Sequence, residues 1–217
     1  MGNETTLPAK PSLGIGSAVR RVFKARQTKF KESIIQSNIP LLIDCLGLGV
    51  DPNTEFDDGN YALHIATEKC DYAILRILLN RQNIEIDKKN WFGVTALMVA
   101  CEEATLACNS ESKLTMFKLL IANGMDRHQL HPIEGRNCLH YVAISGYIPL
   151  AQYLITLNME SDLFVRDITG RTPMDLALDH LNFMVFHLLK LAYLKKRISP
   201  QSRTQLKLRK SMSRRMV

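Results

Sequence analysis

The stretch TGRTPMDLA at residues 169–177 contains the pattern that decides the fold. Thr172 can cap free amide groups at the start of a helix, and Pro173 is tolerated in the first helical turn. The leucine and alanine that follow fall on one face of that helix. The stretch therefore predicts a turn containing Gly170, followed by a short helix with one apolar face.

Related stretches occur earlier in the chain. They are DGNYALHIA at 58–66, FGVTALMVA at 92–100 and EGRNCLHYVA at 134–143, and their glycines are separated by 34, 42 and 35 residues. A leucine-rich stripe with helical spacing follows each copy, at 74–79, 116–120, 150–155 and 183–189. An incomplete earlier copy occupies residues 34–53. One such helix pair cannot bury its own apolar face, so neighbouring pairs must stack into a solenoid.

A period near 33 residues with a G-x-T-P-L-H-x-A core resembles the ankyrin repeat. The resemblance covers roughly residues 30–192. It implies an all-α, ankyrin-type solenoid with hairpin tips, flanked by a basic N-terminal arm (1–29) and a basic C-terminal tail (193–217). The five expected units are 30–57, 58–91, 92–133, 134–168 and 169–192.

The copies depart from the pattern in two ways. Tyr61-Ala62 and Asn137-Cys138 replace the Thr-Pro pair, so we expect those helices to begin less firmly. The third unit has seven additional residues around 104–112, which predict either a longer loop or an extended helix. A tolerated insertion and a binding loop are both consistent with this sequence.

Composition narrows the class of protein. The chain has 217 residues, of which 46% are hydrophobic, and no window approaches 18 uninterrupted apolar residues. The N-terminus lacks the features of a secretory signal. Five cysteines without paired spacing favour a reducing compartment, so we expect a cytoplasmic or nuclear protein.

The net charge of +7 is unevenly distributed. Residues 1–31 carry a net charge of +6 and residues 195–217 a net charge of +9, whereas residues 32–194 carry −8. A nucleic-acid-binding domain would spread positive charge over its folded face. The acidic body therefore argues against direct recognition of nucleic acid.

No set of residues in the sequence predicts catalysis or a cofactor. The chain contains no glycine-rich phosphate loop, no G-x-S-x-G elbow and no paired histidines around a glutamate. The resemblance assigns His64 and His140 a structural role, in which each histidine bonds to a neighbouring turn. Cys101, Cys108, His128 and His131 lack the close pairs of a structural zinc site. We therefore expect neither an enzyme nor a metalloprotein.

Asp51, Asp126 and Asp162 occur near the ends of units. Carboxylates in such turns can accept hydrogen bonds from downstream amide groups. This recurrence predicts a role in turn structure rather than in metal binding.

The resemblance implies that protein partners bind at the hairpin tips and along the adjoining concave face of the first helices. The chain is thus expected to be a non-enzymatic adaptor or inhibitor, for example of a transcription or cell-cycle regulator. Tryptophan is enriched at interface hot spots, although Trp91 can also fold back on the neighbouring tip. The candidate contact residues are Asp57, Asn90, Trp91, Phe92, Ile133 and Ile168.

The last predicted helix, residues 181–194, is apolar nearly all round. Terminal repeats need a polar outer face for solubility. Either the downstream tail, through Leu206 and Leu208, or a partner would therefore cover this helix.

The N-terminus supports a second hypothesis, a membrane-peripheral scaffold. The first six residues, MGNETT, match the N-myristoylation pattern at Gly2. Basic residues at 20–31 surround a possible apolar stripe containing Val22 and Phe23, which would supply a second membrane signal. Alternatively, this segment caps the solenoid.

The C-terminal tail contains two basic clusters. They resemble a bipartite nuclear import signal or a segment that binds anionic surfaces, and a solubilising tail is the alternative. Ser199 precedes Pro200 and is a candidate phosphorylation site whose negative charge would weaken either basic function. The basic residues are Lys195, Lys196, Arg197, Lys207, Arg209, Lys210, Arg214 and Arg215.

Overall fold

The computed structural model describes residues 17–103, 110–159 and 161–198. Within these ranges the chain forms ten α-helices and no β-strand, which confirms the predicted all-α class. A short 3-10 helix, Asp162–Phe164, follows the eighth α-helix. The helices are α1 (Ser17–Ile35), α2 (Ile39–Gly47), α3 (Ala62–Glu68), α4 (Tyr72–Leu79), α5 (Ala96–Glu103), α6 (Ser110–Ala122), α7 (Cys138–Ser145), α8 (Ile148–Thr156), α9 (Pro173–Asp179) and α10 (Phe183–Ile198).

The helices form five stacked pairs. Each odd-numbered helix packs against the even-numbered helix that follows it, and the odd-numbered helices pack against one another in chain order from α1 to α9. Contacts between α4 and α6 and between α8 and α10 connect the second layer. This arrangement is the predicted helix-pair solenoid.

Small side chains lie between the layers. Ala66, Ala143 and Ala177 are completely buried in α3, α7 and α9, where a larger side chain would separate neighbouring helices. Leu78 in α4 and Leu154 in α8 are also completely buried, as expected from the leucine-rich second half of each unit. The repeated alanine and leucine positions thus form one continuous core.

Helix starts differ from the sequence-based expectation at one position. Thr172 Oγ1 accepts a hydrogen bond of 3.3 Å from the backbone amide of Asp175, as predicted. Asn137 Oδ1 accepts one of 3.1 Å from the amide of His140, so α7 is capped as well as α9 is. The expectation of a weak start was wrong for Asn137, because an amide side chain replaces the threonine hydroxyl.

The additional residues of the third unit lengthen a helix. Helix α6 has 13 residues, whereas α4 has 8 and α8 has 9. Residues 104–109 lie outside the described ranges. At least part of the insertion therefore extends the second helix of its unit.

Both predicted boundaries of the repeat domain fall inside helices. Helix α1 crosses residue 30, and Phe30 and Ile34 on it are completely buried, whereas Val22 and Phe23 are exposed. Helix α10 likewise continues beyond residue 192. In the described part of the chain, no helix combines the length and apolar character needed to cross a bilayer.

Candidate functional site

Among the residues that the structure describes, four hairpin tips join consecutive units, and the backbone of each tip is closed by its own hydrogen bonds. In the second tip, the amide of Asn90 donates to the carbonyl of Val94 at 3.0 Å, and the amide of Gly93 donates to the carbonyl of Asn90 at 2.8 Å. Gly93 has φ = 73°, a conformation that strongly favours glycine. Phe56 and Asp167 begin two further tips with the same spacing, and His131 begins a tip that closes in the same way but is one residue longer.

The side chain at the first tip position often completes this network. Asn90 Oδ1 accepts hydrogen bonds of 3.0 Å from the amides of Phe92 and Val94. Asp167 Oδ1 accepts bonds of 2.9 Å from the amides of Thr169 and Arg171. Asn90, predicted as a partner contact, therefore uses its side chain to build the tip.

Neighbouring tips pack directly against each other. The Asn90 side-chain amide donates to Asn60 Oδ1 at 2.9 Å, and the amide of Ile168 donates to the carbonyl of Glu134 at 2.9 Å. A Cβ atom at Gly93 would lie 2.8 Å from Pro132 Cγ, too close for an unstrained contact. The tips thus form one continuous row in which each fixes the position of the next.

This row presents large apolar side chains to solvent. Phe92 and Ile133 are each 63% exposed, and Ile168 is 76% exposed. Each belongs to a different tip, and Asp57 is exposed on the first tip of the row. The structure therefore brings these predicted contact residues to the same edge of the solenoid.

Trp91 is exposed but is not free of native contacts. It is 67% exposed, yet its ring lies against Gly59 of the preceding tip and its indole nitrogen donates a hydrogen bond to Glu55. Hydrogen bonds from Tyr61 and Trp91 lower the pKa of the Glu55 carboxyl. The ring thus folds back on the neighbouring tip, the alternative that the sequence had left open, because glycine at position 59 leaves room for it.

The two repeat histidines link adjacent units. His64 Nε2 lies 2.8 Å from the carbonyl oxygen of Val94, and His140 Nε2 lies 3.2 Å from that of Arg171. Each acceptor directly follows the glycine of the next tip. Nδ1 of His64 lies 3.4 Å from the amide nitrogen of Tyr61, and Nδ1 of His140 lies 3.1 Å from the amide nitrogen of Asn137 and 2.6 Å from its Oδ1. The predicted structural role of both histidines is confirmed.

The aspartates near the unit ends do not share one role. Asp51 and Asp126 each accept a hydrogen bond of 2.9 Å from the amide two residues later, as predicted. Asp162 instead begins the 3-10 helix, is 4% exposed, and accepts a bond of 2.7 Å from the His128 ring. The expectation for Asp162 was wrong, because this residue connects two units rather than closing its own turn.

A polar cluster at the third tip was not anticipated from the sequence. The Tyr141 hydroxyl donates to Glu134 Oε2 at 2.7 Å and lies 3.3 Å from Glu102 Oε1, while His131 Nε2 lies 3.4 Å from Glu102. Burial, together with these carboxylates, raises the pKa of Tyr141. The one sequence signal was the spacing of 42 residues between Gly93 and Gly135, which is eight residues longer than the spacing between Gly59 and Gly93. The insertion around 104–112 accounts for seven of these eight residues, and one remains. That residue lengthens this tip to His131–Arg136.

The side chains of Glu102, His131 and Glu134 are close enough to resemble a metal site, with one donor atom from each within 4.8 Å of the others. However, His131 Nδ1 accepts a hydrogen bond of 3.2 Å from the amide of Glu134. The neutral ring then carries its proton on Nε2, the atom that would have to bind the metal. These residues fit a hydrogen-bonded cluster better than a cation site.

The residues considered as zinc ligands in the sequence do not form one set. Cys101 is buried and interacts with Cys138, His128 bonds to Asp162, and His131 belongs to the cluster above. Cys108 lies outside the described residues.

The predicted terminal sites are largely outside the described ranges. Lys195 is exposed on α10, and residues 196–197 continue that helix. The other predicted terminal residues lie outside the described ranges; they are Gly2, Ser199, Lys207, Arg209, Lys210, Arg214 and Arg215.

Comparison with known proteins supports the repeat assignment. The model of a family described as ankyrin repeats (3 copies) matches residues 34–108 and 104–199. The chain is also 28% identical, over 173 residues, to the nuclear factor NF-kappa-B p105 subunit of Gallus gallus. That alignment covers 79% of this chain and 17% of the relative, so the chain corresponds to a small part of that protein.

Ankyrin repeats generally mediate interactions between proteins and are typically not enzymes. The matched ranges include the helices from α2 to α10 together with the row of tips, whereas almost all of α1 precedes them. The sequence pattern, the stacked helix pairs and the family match agree, and they show that this chain belongs to the ankyrin repeat family.

Proposed function

We propose that the chain is an adaptor or inhibitor that binds a protein partner along the row of hairpin tips. The observation that carries this proposal is that three consecutive tips each expose a large apolar side chain, namely Phe92, Ile133 and Ile168. Clustered exposed apolar groups on a soluble protein are typical of interaction sites.

The rigidity of the row supports a binding role. Backbone hydrogen bonds close each tip, and neighbouring tips pack together, as Gly93 does on Pro132. A partner that binds such a surface loses little free energy in ordering it. The exposed carboxylate of Asp57 adds an acidic group on the first tip, which favours a basic residue at that position of the partner.

A transcription or cell-cycle regulator is the class of partner that we propose. The relative from Gallus gallus is, by its name, a subunit of a nuclear factor. The chain matches a small share of that protein, and the choice of partner class rests on this likeness together with the expected cytoplasmic or nuclear location.

Affinity purification with the intact protein tests the proposal. A variant carrying Phe92→Ser, Ile133→Ser and Ile168→Ser should lose the partner that the wild type retains. The matched control carries Ile43→Ser and Leu48→Ser on and just after α2, where the side chains are 49% and 60% exposed. Equal recovery of the partner by the tip variant and the control would contradict binding through the tips.

A membrane-peripheral scaffold is the second candidate. Residues 20–24 of α1 favour it, because Val22 and Phe23 are 54% and 57% exposed among Arg20, Arg21 and Lys24. Acylation at Gly2 would supply the second membrane signal that a basic amphipathic segment requires. Cell fractionation of the wild type and of Gly2→Ala separates the two candidates. An unchanged distribution would exclude acylation as the anchor.

A further inference from the structure

Helix α10 has apolar side chains on two opposite sides. Val185 and Leu189 face the solenoid core and are 1% and 0% exposed. On the other side, Phe183, Met184, Leu191 and Leu194 are 56%, 62%, 54% and 39% exposed. We call these four residues the α10 stripe. The terminal helix therefore presents to solvent the kind of surface that other helices of the solenoid bury.

Two lysines border the α10 stripe. At about 100° per residue, its four side chains fall within a sector of roughly 100°, and Lys190 and Lys195 fall at the two edges of that sector. Both lysines are exposed, and the ammonium group of Lys190 lies 5.7 Å from the centre of the Phe186 ring. His187 lies within the sector.

We propose that the α10 stripe docks on an anionic lipid bilayer. Helices that lie in a membrane interface bury an apolar face at the boundary of the headgroups and acyl chains. Lysines at the edges of such a face extend their ammonium groups to the headgroups. Phe183, Met184, Leu191 and Leu194 supply the apolar face, and Lys190 and Lys195 supply the cationic edges.

The charge of the rest of the chain favours the same orientation. Residues 195–217 carry a net charge of +9, and residues 32–194 carry −8. An anionic surface thus attracts the end of the solenoid that carries α10 and repels the acidic body. Each lysine or arginine close to such a surface strengthens binding about fivefold.

Other occupants fit the α10 stripe less well. A second copy of the chain would bring two sets of Lys190 and Lys195 together. The downstream tail carries only positive charge, so these lysines repel it. A protein partner would need acidic groups on both sides of a matching apolar surface, whereas a fluid bilayer needs no matching shape.

Vesicle sedimentation with the full chain tests the proposal. Binding is compared between vesicles of phosphatidylcholine with phosphatidylserine and vesicles of phosphatidylcholine alone. The wild type should bind the first preferentially, and added salt should weaken this binding. Lys190→Gln with Lys195→Gln should reduce the partition coefficient about thirtyfold, and Met184→Ser with Leu191→Ser about tenfold or more.

The matched control carries Ile43→Ser and Leu48→Ser, which remove apolar groups of similar exposure (49% and 60%) on and just after α2, and it should bind vesicles as the wild type does. Absence of vesicle binding, or equal binding by the α10 variants and the wild type, would overturn the proposal. Stronger binding by Leu206→Ser with Leu208→Ser would show that the tail covers the stripe. A dimer that Met184→Ser with Leu191→Ser dissociates would assign the stripe to a second copy. Because the tips and the α10 stripe use separate residues, either proposal can fail without the other.

Discussion

The indole ring of Trp91 occupies the space that a side chain at Gly59 would fill. Gly59 has φ = 74° and belongs to the first tip, whereas Trp91 belongs to the second. A Cβ atom at position 59 would overlap the ring, and the indole nitrogen donates a hydrogen bond to Glu55 beside it. The glycine is therefore required both by its backbone conformation and by the ring of the next unit.

Replacing Gly59 with alanine should destabilise the fold and displace Trp91. The left-handed conformation alone costs an alanine about 1–2 kcal/mol, and the overlap with the ring adds to this cost. Gly170→Ala is the matched control, because Gly170 has φ = 80° but no atom within 4 Å of its added Cβ. Urea unfolding should show the larger loss for Gly59→Ala, and only that variant should change tryptophan fluorescence. Equal losses with unchanged fluorescence would contradict the contact.

Trp91→Ala should affect both stability and binding. We expect a loss of about 1–2 kcal/mol in the free energy of unfolding, because the hydrogen bond to Glu55 and the contact with Gly59 disappear. Partner affinity should fall by roughly 2 kcal/mol, or about thirtyfold, as is typical of tryptophan hot spots. Since Trp91 is the only tryptophan and is 67% exposed, iodide should still quench its emission. Weakened folding with full partner affinity would assign Trp91 to the fold alone.

Stability should decrease at mildly acidic pH because of His64 and His140. Burial lowers the pKa of both rings in the folded chain. The unfolded chain therefore binds more protons once the pH falls below about 6.5, and the free energy of unfolding decreases until the pH passes below the folded-state pKa values. Urea unfolding of the wild type at a series of pH values measures this loss.

The variant His140→Ala provides the comparison. It should lose about 1–2 kcal/mol at neutral pH, because the carbonyl of Arg171 loses its partner. The difference from the wild type should narrow as the pH falls, since alanine binds no proton. A difference that stays constant with pH would mean that the protonation of His140 does not contribute to stability.

The sequence predicted the repeating parts of this fold well, because they depend on contacts that recur. Gly93 and Gly170 indicated the turns, and His64 and His140 occupied the position whose bond to the next turn is repeated. Non-recurring contacts were not predictable. The cluster around Tyr141 requires Glu102 from a different helix and a third tip that is one residue longer.

Positions where a different residue fills the structural role of the repeat pattern were also difficult to predict. Asn137 caps α7 although the repeat pattern calls for threonine at that position. The contact of the Trp91 ring with the preceding tip is possible only because Gly59 has no side chain. A glycine in a turn does not reveal such a contact by itself. The boundary at residue 30 was placed inside α1 because the sequence shows an apolar stripe there but not which of its residues are buried, and the structure buries Phe30 and Ile34 while Val22 and Phe23 stay exposed.

Neutralising the basic tail should change localisation without changing stability. Surface charges contribute little to folding, so the melting temperature should remain that of the wild type. Imaging and salt-dependent binding measure the effect of replacing all five residues by glutamine, and Ser199→Glu should weaken the same function in part. A large drop in melting temperature would instead show that the tail is part of the fold. The five residues are Lys207, Arg209, Lys210, Arg214 and Arg215.

Phe30→Ala should show that α1 is part of the folding unit. Phe30 is completely buried, and its ring centre lies 6.0 Å from that of Phe56 in the first tip. Removing a buried phenylalanine side chain typically costs about 3–5 kcal/mol, because a cavity remains. Phe23→Ala is the matched control, since Phe23 lies two turns earlier on the same side of α1 but is 57% exposed. That variant should unfold at the same urea concentration as the wild type. If the two variants were equally stable, α1 would be an attached arm, and the boundary of the folding unit would lie after residue 30.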